Sequence, residues 1–283
     1  MCVGNKFIFP DAMVIFALGD FSTNSKYIRH STDMILIMTP RRNLRIGILT
    51  TLDCPILPIH LDALQKKGIR DLVVICDEKV TNPRDIEIWN TRTGGLVGEY
   101  GLQQRTVALL AALKAPIFFV SNHNSLDCIE LIESQGLNVL INSGTPRRLS
   151  QLLLSVVEFG VINVHPGILP KYRGSCAVEW SIFNDDEMGN TVHFMDEGYD
   201  SGPIIEIDAI DWIPGATYHQ IRSDIYMRSG TLIAKALEKI SFGEMDMSSA
   251  LKQSEILAQY WKPIEQDEMN IVMAKIASKK PKG

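Results

Sequence analysis

From Leu44 onward the chain alternates short, continuous apolar runs with stretches whose apolar positions recur at helical spacing. The runs "LRIGILT" (44–50), "DLVVICD" (71–77), "PIFFVS" (116–121), "LNVLINSG" (137–144) and "GVINVH" (160–165) have the length and β-branched content of strands. Between them, "PILPIHLDALQKKG" (55–68), "LQQRTVALLAALKA" (102–115), "SLDCIELIESQG" (125–136) and "LSQLLLSVVE" (149–158) read as helices, with Ser125 as an N-cap. Strands that are apolar on both sides, separated by amphipathic helices, predict βαβ units. The expected fold is therefore α/β, a Rossmann-like, mostly parallel sheet with helices on both faces. Sheets of this kind bind ligands beyond the carboxyl ends of their strands, where "GVINVH" terminates.

After Gly174 the texture changes. "AVEWSIFND" (177–185) predicts a helix, "GNTVHFMD" (189–196) a strand, "GYDSG" (198–202) a tight loop and "PIIEIDAIDW" (203–212) another strand. Residues 216–240 predict a long helix interrupted in propensity by Gly230, and the tail 260–283 an extended piece followed by a short amphipathic helix with a basic end. The expected division is an N-terminal extension of unknown role over 1–43, a principal domain over 44–245 and a C-terminal extension over 246–283. The apolar stretch at 12–19 is shorter than the ~20 residues of a membrane span, and it lacks the flanks of a secretory signal.

Composition is that of an ordinary globular chain, 46% hydrophobic and 22% charged. A net charge of −5 argues against nucleic acid as a main partner, since phosphate binding needs concentrated Lys and Arg. The five cysteines, Cys2, Cys54, Cys76, Cys128 and Cys176, form no C-x-x-C, so a reduced, cytoplasmic chain without a metal site is expected. No membrane contact and room for a homodimer complete that expectation.

The candidate chemistry sits in "VINVHPGILPKYRG" (161–174). On a strand, residues i and i+2 share a face, so Asn163 and His165 point together while Ile162 and Val164 pack on the other side. Pro166 ends the ladder and places the imidazole at the carboxyl edge. "DEGYDSGP" (196–203) then offers Asp200 on a glycine-flanked turn, within reach if its strand pairs beside "GVINVH". Amide donor, imidazole and carboxylate together make an acyl-transfer centre without a covalent nucleophile. Elsewhere, "GLVGEYG" (95–101) is a flexible connector rather than a nucleotide loop, and His60 is expected to be partly buried. "SNHNS" (121–125) either lines the cleft or caps a helix, and Tyr172 and Trp180 are expected to pack.

The order "NVHPGILPKYRG", helix, "GNTVHFMDEGYDSGPII" closely resembles the formyltransferases that use 10-formyltetrahydrofolate. The matching positions are Asn163, His165, Leu169–Pro170, Arg173–Gly174, Gly189, Thr191, His193, Asp200 and Gly202. Gly167-Ile168-Leu169 stands where that family usually has Ser-Leu-Leu. The likeness extends over about 44–240 and implies direct attack of an amine on the formyl carbon through a tetrahedral intermediate, without a metal. Asn163 would donate to the oxyanion, His165 would manage protons, and Asp200 would hold His165 or a water. The resemblance places the co-substrate along 143–149 and 195–200, with Thr145, Arg147, Leu149, Met195 and Gly198 as contacts. Arg147 and Arg148 depart from the usual apolar residues there, and one could meet the glutamate tail. Pro166, Gly167 and Arg173 would face the acceptor.

Glycinamide-ribonucleotide enzymes carry a glycine-rich phosphate loop after the first strand. "TTLDCPILPIHLDALQKKG" (50–68) looks more like the sugar and methionyl-tRNA N-formyltransferases. The resemblance thus favours an amino sugar or similar small amine as acceptor. Formyltetrahydrofolate hydrolysis, a methionyl-tRNA formyltransferase-like protein without its tRNA-binding domain, and a non-catalytic folate-binding homologue are the other readings.

Overall fold

The computed structural model describes residues 41–279, so the expectations for the apolar run at 12–19 and for Cys2 lie outside the described residues. Five parallel strands, β1 (Ile46–Thr50), β2 (Leu72–Asp77), β3 (Ile117–Val120), β4 (Val139–Asn142) and β5 (Val161–His165), form the body of one sheet. Every residue of β1 and β2 is buried, as their unbroken apolar runs require. The two-residue strand β6 (Arg173–Gly174) lies outside this sheet. β7 (Met188–Phe194) and β8 (Ile204–Ile210) continue the main sheet in the antiparallel sense, giving the order β3-β2-β1-β4-β5-β7-β8.

Helices α1 (Leu57–Lys66), α3 (Gln104–Leu113), α4 (Leu126–Ser134) and α5 (Gln151–Ser155) fall where the periodicity places them. Ser125 and Ser150 cap α4 and α5 by accepting backbone N–H bonds from Cys128 and Leu153. The structure adds α2 (Pro83–Thr93), which periodicity misses because only Trp89 and Thr93 are buried. Its local signals are present all the same: an Asn82 cap, Pro83 in the first turn and left-handed Gly94 at the end. The 95–101 stretch then connects α2 to α3 and is tied down, Gly98 accepting from the Trp89 indole at 2.7 Å and Gly101 donating to the Asp53 carbonyl at 3.0 Å. His60 is more deeply buried than expected, 2% exposed, with Ser143 and Ser229 on its two ring nitrogens. Burial pushes its pKa down to about 3, so it sits neutral.

After α6 (Ala177–Phe183), the long helix α7 (Tyr218–Ser241) opens with a Thr217–Gln220 capping box. Its Gly230 is a packing residue: a Cβ there would stand 2.7 Å from the Ile59 carbonyl oxygen and 3.0 Å from the Ala63 Cβ of α1. Gly230→Ala should therefore destabilise the fold by about 1–3 kcal/mol, although alanine is the better helix former by about 1 kcal/mol. Chemical denaturation decides between the two signs. Residues beyond both expected domain boundaries pack on this unit. Arg42 N–H donates to the Ser241 carbonyl, Leu251 pairs with Ile204, and β9 (Tyr260–Trp261) pairs with β6. Helix α8 (Gln266–Ser278) buries Val272 and Ile276 beside Val178 and Ile225. Trp261 stacks on Tyr172 and Trp180, so both of these pack as expected.

Candidate active site

β5 and β7 pair antiparallel, with Asn163 opposite His193 and His165 opposite Thr191. This register brings the two motif segments together at the carboxyl edge of the parallel strands. The Asn163 carboxamide is oriented at both ends. Its Oδ1 accepts from Asn142 Nδ2 at 3.0 Å, and its Nδ2 lies 3.2 Å from His193 Nε2. His193 Nδ1 faces the Phe194 carbonyl at 2.8 Å, an acceptor only, so Nδ1 carries the proton and Nε2 accepts from Asn163. Burial holds the His193 pKa below its ordinary value, consistent with that neutral tautomer. Asn163 keeps its second N–H for another acceptor.

His165 is 4% exposed. Its Nε2 donates to the Tyr172 carbonyl at 2.5 Å, and its Nδ1 is 3.3 Å from Asp200 Oδ1. Asp200 also stands 3.8 Å from His193 Nε2, and its Oδ2 accepts from the Gly174 N–H at 2.9 Å. Burial alone would raise this carboxyl. The His165 ring and the Gly174 N–H more than offset it, lowering the pKa from 3.8 to about 2. Thr191 fixes the loop after His165, donating to the Gly167 carbonyl and accepting from the Leu169 N–H.

The Asp200 loop is built by its own sequence. Asp196 Oδ1 accepts from the Gly198 N–H and the Ser201 hydroxyl, and Asp200 itself adopts φ +53°. Gly202 is required by close approach, since a Cβ there would lie 1.8 Å from the Phe194 carbonyl oxygen. Gln253 clamps the loop from outside, donating to the carbonyls of Asp200 and Gly202 at 2.8 and 2.7 Å.

Three of the expected contacts have side chains already engaged within the protein. Arg173 does not face an acceptor: its side chain is 1% exposed, bonded to Gln253 and Glu255, and it steadies the Asp200 loop through Gln253. Arg147 pairs its guanidinium with the buried Asp77 through Nε at 2.6 Å and Nη2 at 3.2 Å. Arg147 and the backbone N–H groups of Lys79 and His123 hold the Asp77 carboxyl below its usual range, against burial. Leu149 is 4% exposed and packs in the core with Leu153 and Val161. Of the remaining expected contacts, Thr145 and Met195 are half-buried, Met195 packing against the core, and Gly198 is exposed. Pro166 is half-buried and Gly167 buried beside His165. His123 resolves the open choice for 121–125: it is buried against Thr145 and the Ile75 carbonyl, while Ser125 caps. Asn142 and Gln253 are site residues the sequence reading did not name, and it gave His193 only as a motif position without a role. Asn142 was findable as a second polar strand end.

A family model described as formyl transferase matches residues 98–237, the stretch that contains every residue of this centre except Gln253. Residues 98–237 belong to the formyltransferase family. Among curated proteins, the chain is 31% identical over 153 residues to a methionyl-tRNA formyltransferase of Methylacidiphilum infernorum (isolate V4), covering 54% of this chain and 47% of that protein. A methionyl-tRNA formyltransferase of Thermotoga sp. (strain RQ2) is 27% identical over 165 residues, covering 58% of this chain and 52% of that protein. The chain thus spans about half the length of the curated relatives it matches. In fold, the formyl transferase domain and its surroundings resemble glycinamide ribonucleotide transformylase 1 from Symbiobacterium toebii, with TM-score 0.56 and 19% identity, over 74% of this chain and 93% of that one. A sugar N-formyltransferase from Shewanella sp FDAARGOS_354 gives TM-score 0.56 at 15% identity, over 83% of this chain and 88% of that one. No described helix is long and apolar enough to cross a membrane, and no cluster of metal-ligating side chains occurs among the described residues.

Proposed function

We propose that this chain transfers a formyl group from 10-formyltetrahydrofolate to a primary amine of small size, an amino sugar being the first candidate. The observation that carries the reading is the Asn163–His165–Asp200 constellation at one strand edge, inside the family-matched stretch. Formylfolate supplies the formyl carbon on N10. The loops 143–149 and 195–200 suit it at the mouth of the site, where Arg148 clasps them together by donating to the Glu197 carbonyl and lying 5.1 Å over Tyr199. Thr145, Met195 and the backbone around Gly198 would hold it there.

In the reaction, a bond forms between the acceptor nitrogen and the formyl carbon, and the bond from that carbon to N10 breaks. One proton leaves the attacking amine and one is delivered to N10. Asn163 directs its unused N–H at the carbonyl oxygen as negative charge develops, a contribution worth about two to three orders of magnitude in rate. His165 carries protons between the two nitrogens. Asp200, ionised at neutral pH, stabilises the charged ring. Incubation with 10-formyltetrahydrofolate and a panel of amines, read by mass spectrometry, tests the reading. A formylated amine supports it; consumption of formylfolate with formate as the only product points to hydrolysis instead. The curated relatives favour one second reading, an aminoacyl-tRNA acceptor, so methionyl-tRNA belongs in the panel.

Asn142→Ala removes the bond that orients the Asn163 amide. We expect kcat to fall about tenfold, a loss below that of deleting an oxyanion donor outright, and folate affinity to weaken too, because Asn142 Oδ1 also accepts from the Thr145 N–H at 3.0 Å. An unchanged kcat would show that the amide is held from the His193 side alone.

A further inference from the structure

The C-terminal tail reaches the carboxylate of the site through one side chain. Gln253 is half-buried and lies outside the family-matched 98–237. Its Oε1 accepts from Arg173 Nε at 3.0 Å, and its Nε2 donates to the carbonyls of Asp200 and Gly202 at 2.8 and 2.7 Å. An arginine only donates and a backbone carbonyl only accepts, so the amide can face these three partners in one orientation. Both of its N–H bonds are spent on the Asp200 loop.

The other end of this clamp is β6. Gly174 of β6 donates its N–H to Asp200 Oδ2 at 2.9 Å, fixing the side chain. Arg173 of β6, through Gln253, fixes the Asp200 carbonyl. Side chain and backbone of one residue are thus fastened to neighbouring residues of a two-residue strand. Asp200 has use for that restraint, because its φ of +53° lies where side-chain-bearing residues stay only when their surroundings impose it. Asp196 secures the tip of the loop at Gly198 and Ser201 but does not reach the Asp200 carbonyl. Rotation of the peptide after Asp200 would break the Gln253 bond and swing the carboxylate away from His165 Nδ1, which it meets at 3.3 Å.

The tail does not need these two bonds for its own attachment. Leu251 exchanges both backbone hydrogen bonds with Ile204, β9 pairs with β6, and Trp261 stacks on Tyr172 and Trp180. Arg173 is held separately by Glu255, at 2.8 and 3.1 Å, and its guanidinium lies 5.5 Å over Tyr260. What the Gln253 donors reach is the Asp200 loop alone. Resting on the formyl-transfer reading, we propose that Gln253 is a positioning residue for that reaction, locking the Asp200 backbone so that the carboxylate meets His165 in a single geometry. A tail residue outside the matched stretch then governs turnover without touching either substrate.

The test uses the full chain. Gln253→Glu keeps the length of the side chain and the acceptor for Arg173, and removes both donors. With the amine that the acceptor panel identifies, kcat should fall about tenfold, the scale of a small misplacement of a reacting group. The acceptor KM and binding of 5-formyltetrahydrofolate should stay within about twofold, and the thermal melt should match that of the parent protein. In the Asp200→Asn background the same substitution should cost less than about twofold, because its effect runs through a charge already removed. Gln253→Met, neutral and of similar length, carries the test if the glutamate variant fails to fold. Exchange of the Gly174 amide hydrogen reads the clamp without turnover. It should quicken about fivefold or more in either variant, with the Ile204 and Leu251 amides unchanged. An unchanged kcat, an equal loss in both backgrounds, or unchanged Gly174 exchange would each overturn the proposal. Quickened exchange in the variants of a parent protein that formylates no amine would uphold the clamp and sink the formyl-transfer reading.

Discussion

His165→Ala should lower kcat for formyl transfer by about a hundredfold or more, the usual size of a lost proton-transfer group. The geometry explains why no neighbour substitutes for it. His193, the other imidazole at the edge, holds its only free ring nitrogen against Asn163 and is kept neutral by burial. It cannot supply a proton without releasing the amide. Asp200 would retain the Gly174 N–H but lose its nearest ring partner. Folding should survive, because His165 contributes two polar contacts and no part of the main apolar cluster. A cost of about 1–3 kcal/mol is expected for the unpaired Tyr172 carbonyl and the vacated volume. The checks are single-turnover transfer rates, folate binding and a thermal melt. Turnover within tenfold of the parent protein would remove His165 from the proton path.

Much of this site is written locally, which is why it reads from sequence. Asn163 and His165 sit two apart on a strand that Pro166 ends, and strand geometry alone puts them on one face. Asp200 is announced by its glycine-flanked turn, and the antiparallel pairing of β7 with β5 converts a long separation into 3.3 Å. The parallel body is legible because doubly buried strands must be apolar throughout. What was missed depends on long-range partners. Arg173 looks like an exposed loop arginine until β6 pairs with β9 and Gln253 and Glu255 close over it. Arg147 looks free until the fold places Asp77, at the end of β2, beneath it. Helix α2 escaped because it contributes two buried side chains and stands on the rim rather than in the core. Gly230 lowers helix propensity, yet the packing of α7 on α1 overrides it.

Asp200→Asn isolates the charge from the shape. Asparagine is isosteric, tolerates the left-handed backbone at φ +53°, and can still accept the Gly174 N–H. What it removes is the negative charge 3.3 Å from His165 Nδ1. Activity should fall by about two orders of magnitude while folate binding persists. Stability should respond in a distinct pH window. The carboxyl is depressed from 3.8 to about 2 in the folded chain, so ionised Asp200 stabilises the fold above its unfolded value and that contribution is lost as pH falls toward 2. A shift of just under two pKa units corresponds to about 2.5 kcal/mol. Parent and variant should therefore differ by about this amount at pH 6 and converge between pH 4 and 2, as denaturant midpoints across that range would show. A constant gap at all pH values would mean that the variant loses packing rather than charge, and full activity in Asp200→Asn would reduce the carboxylate to an element that orders its loop.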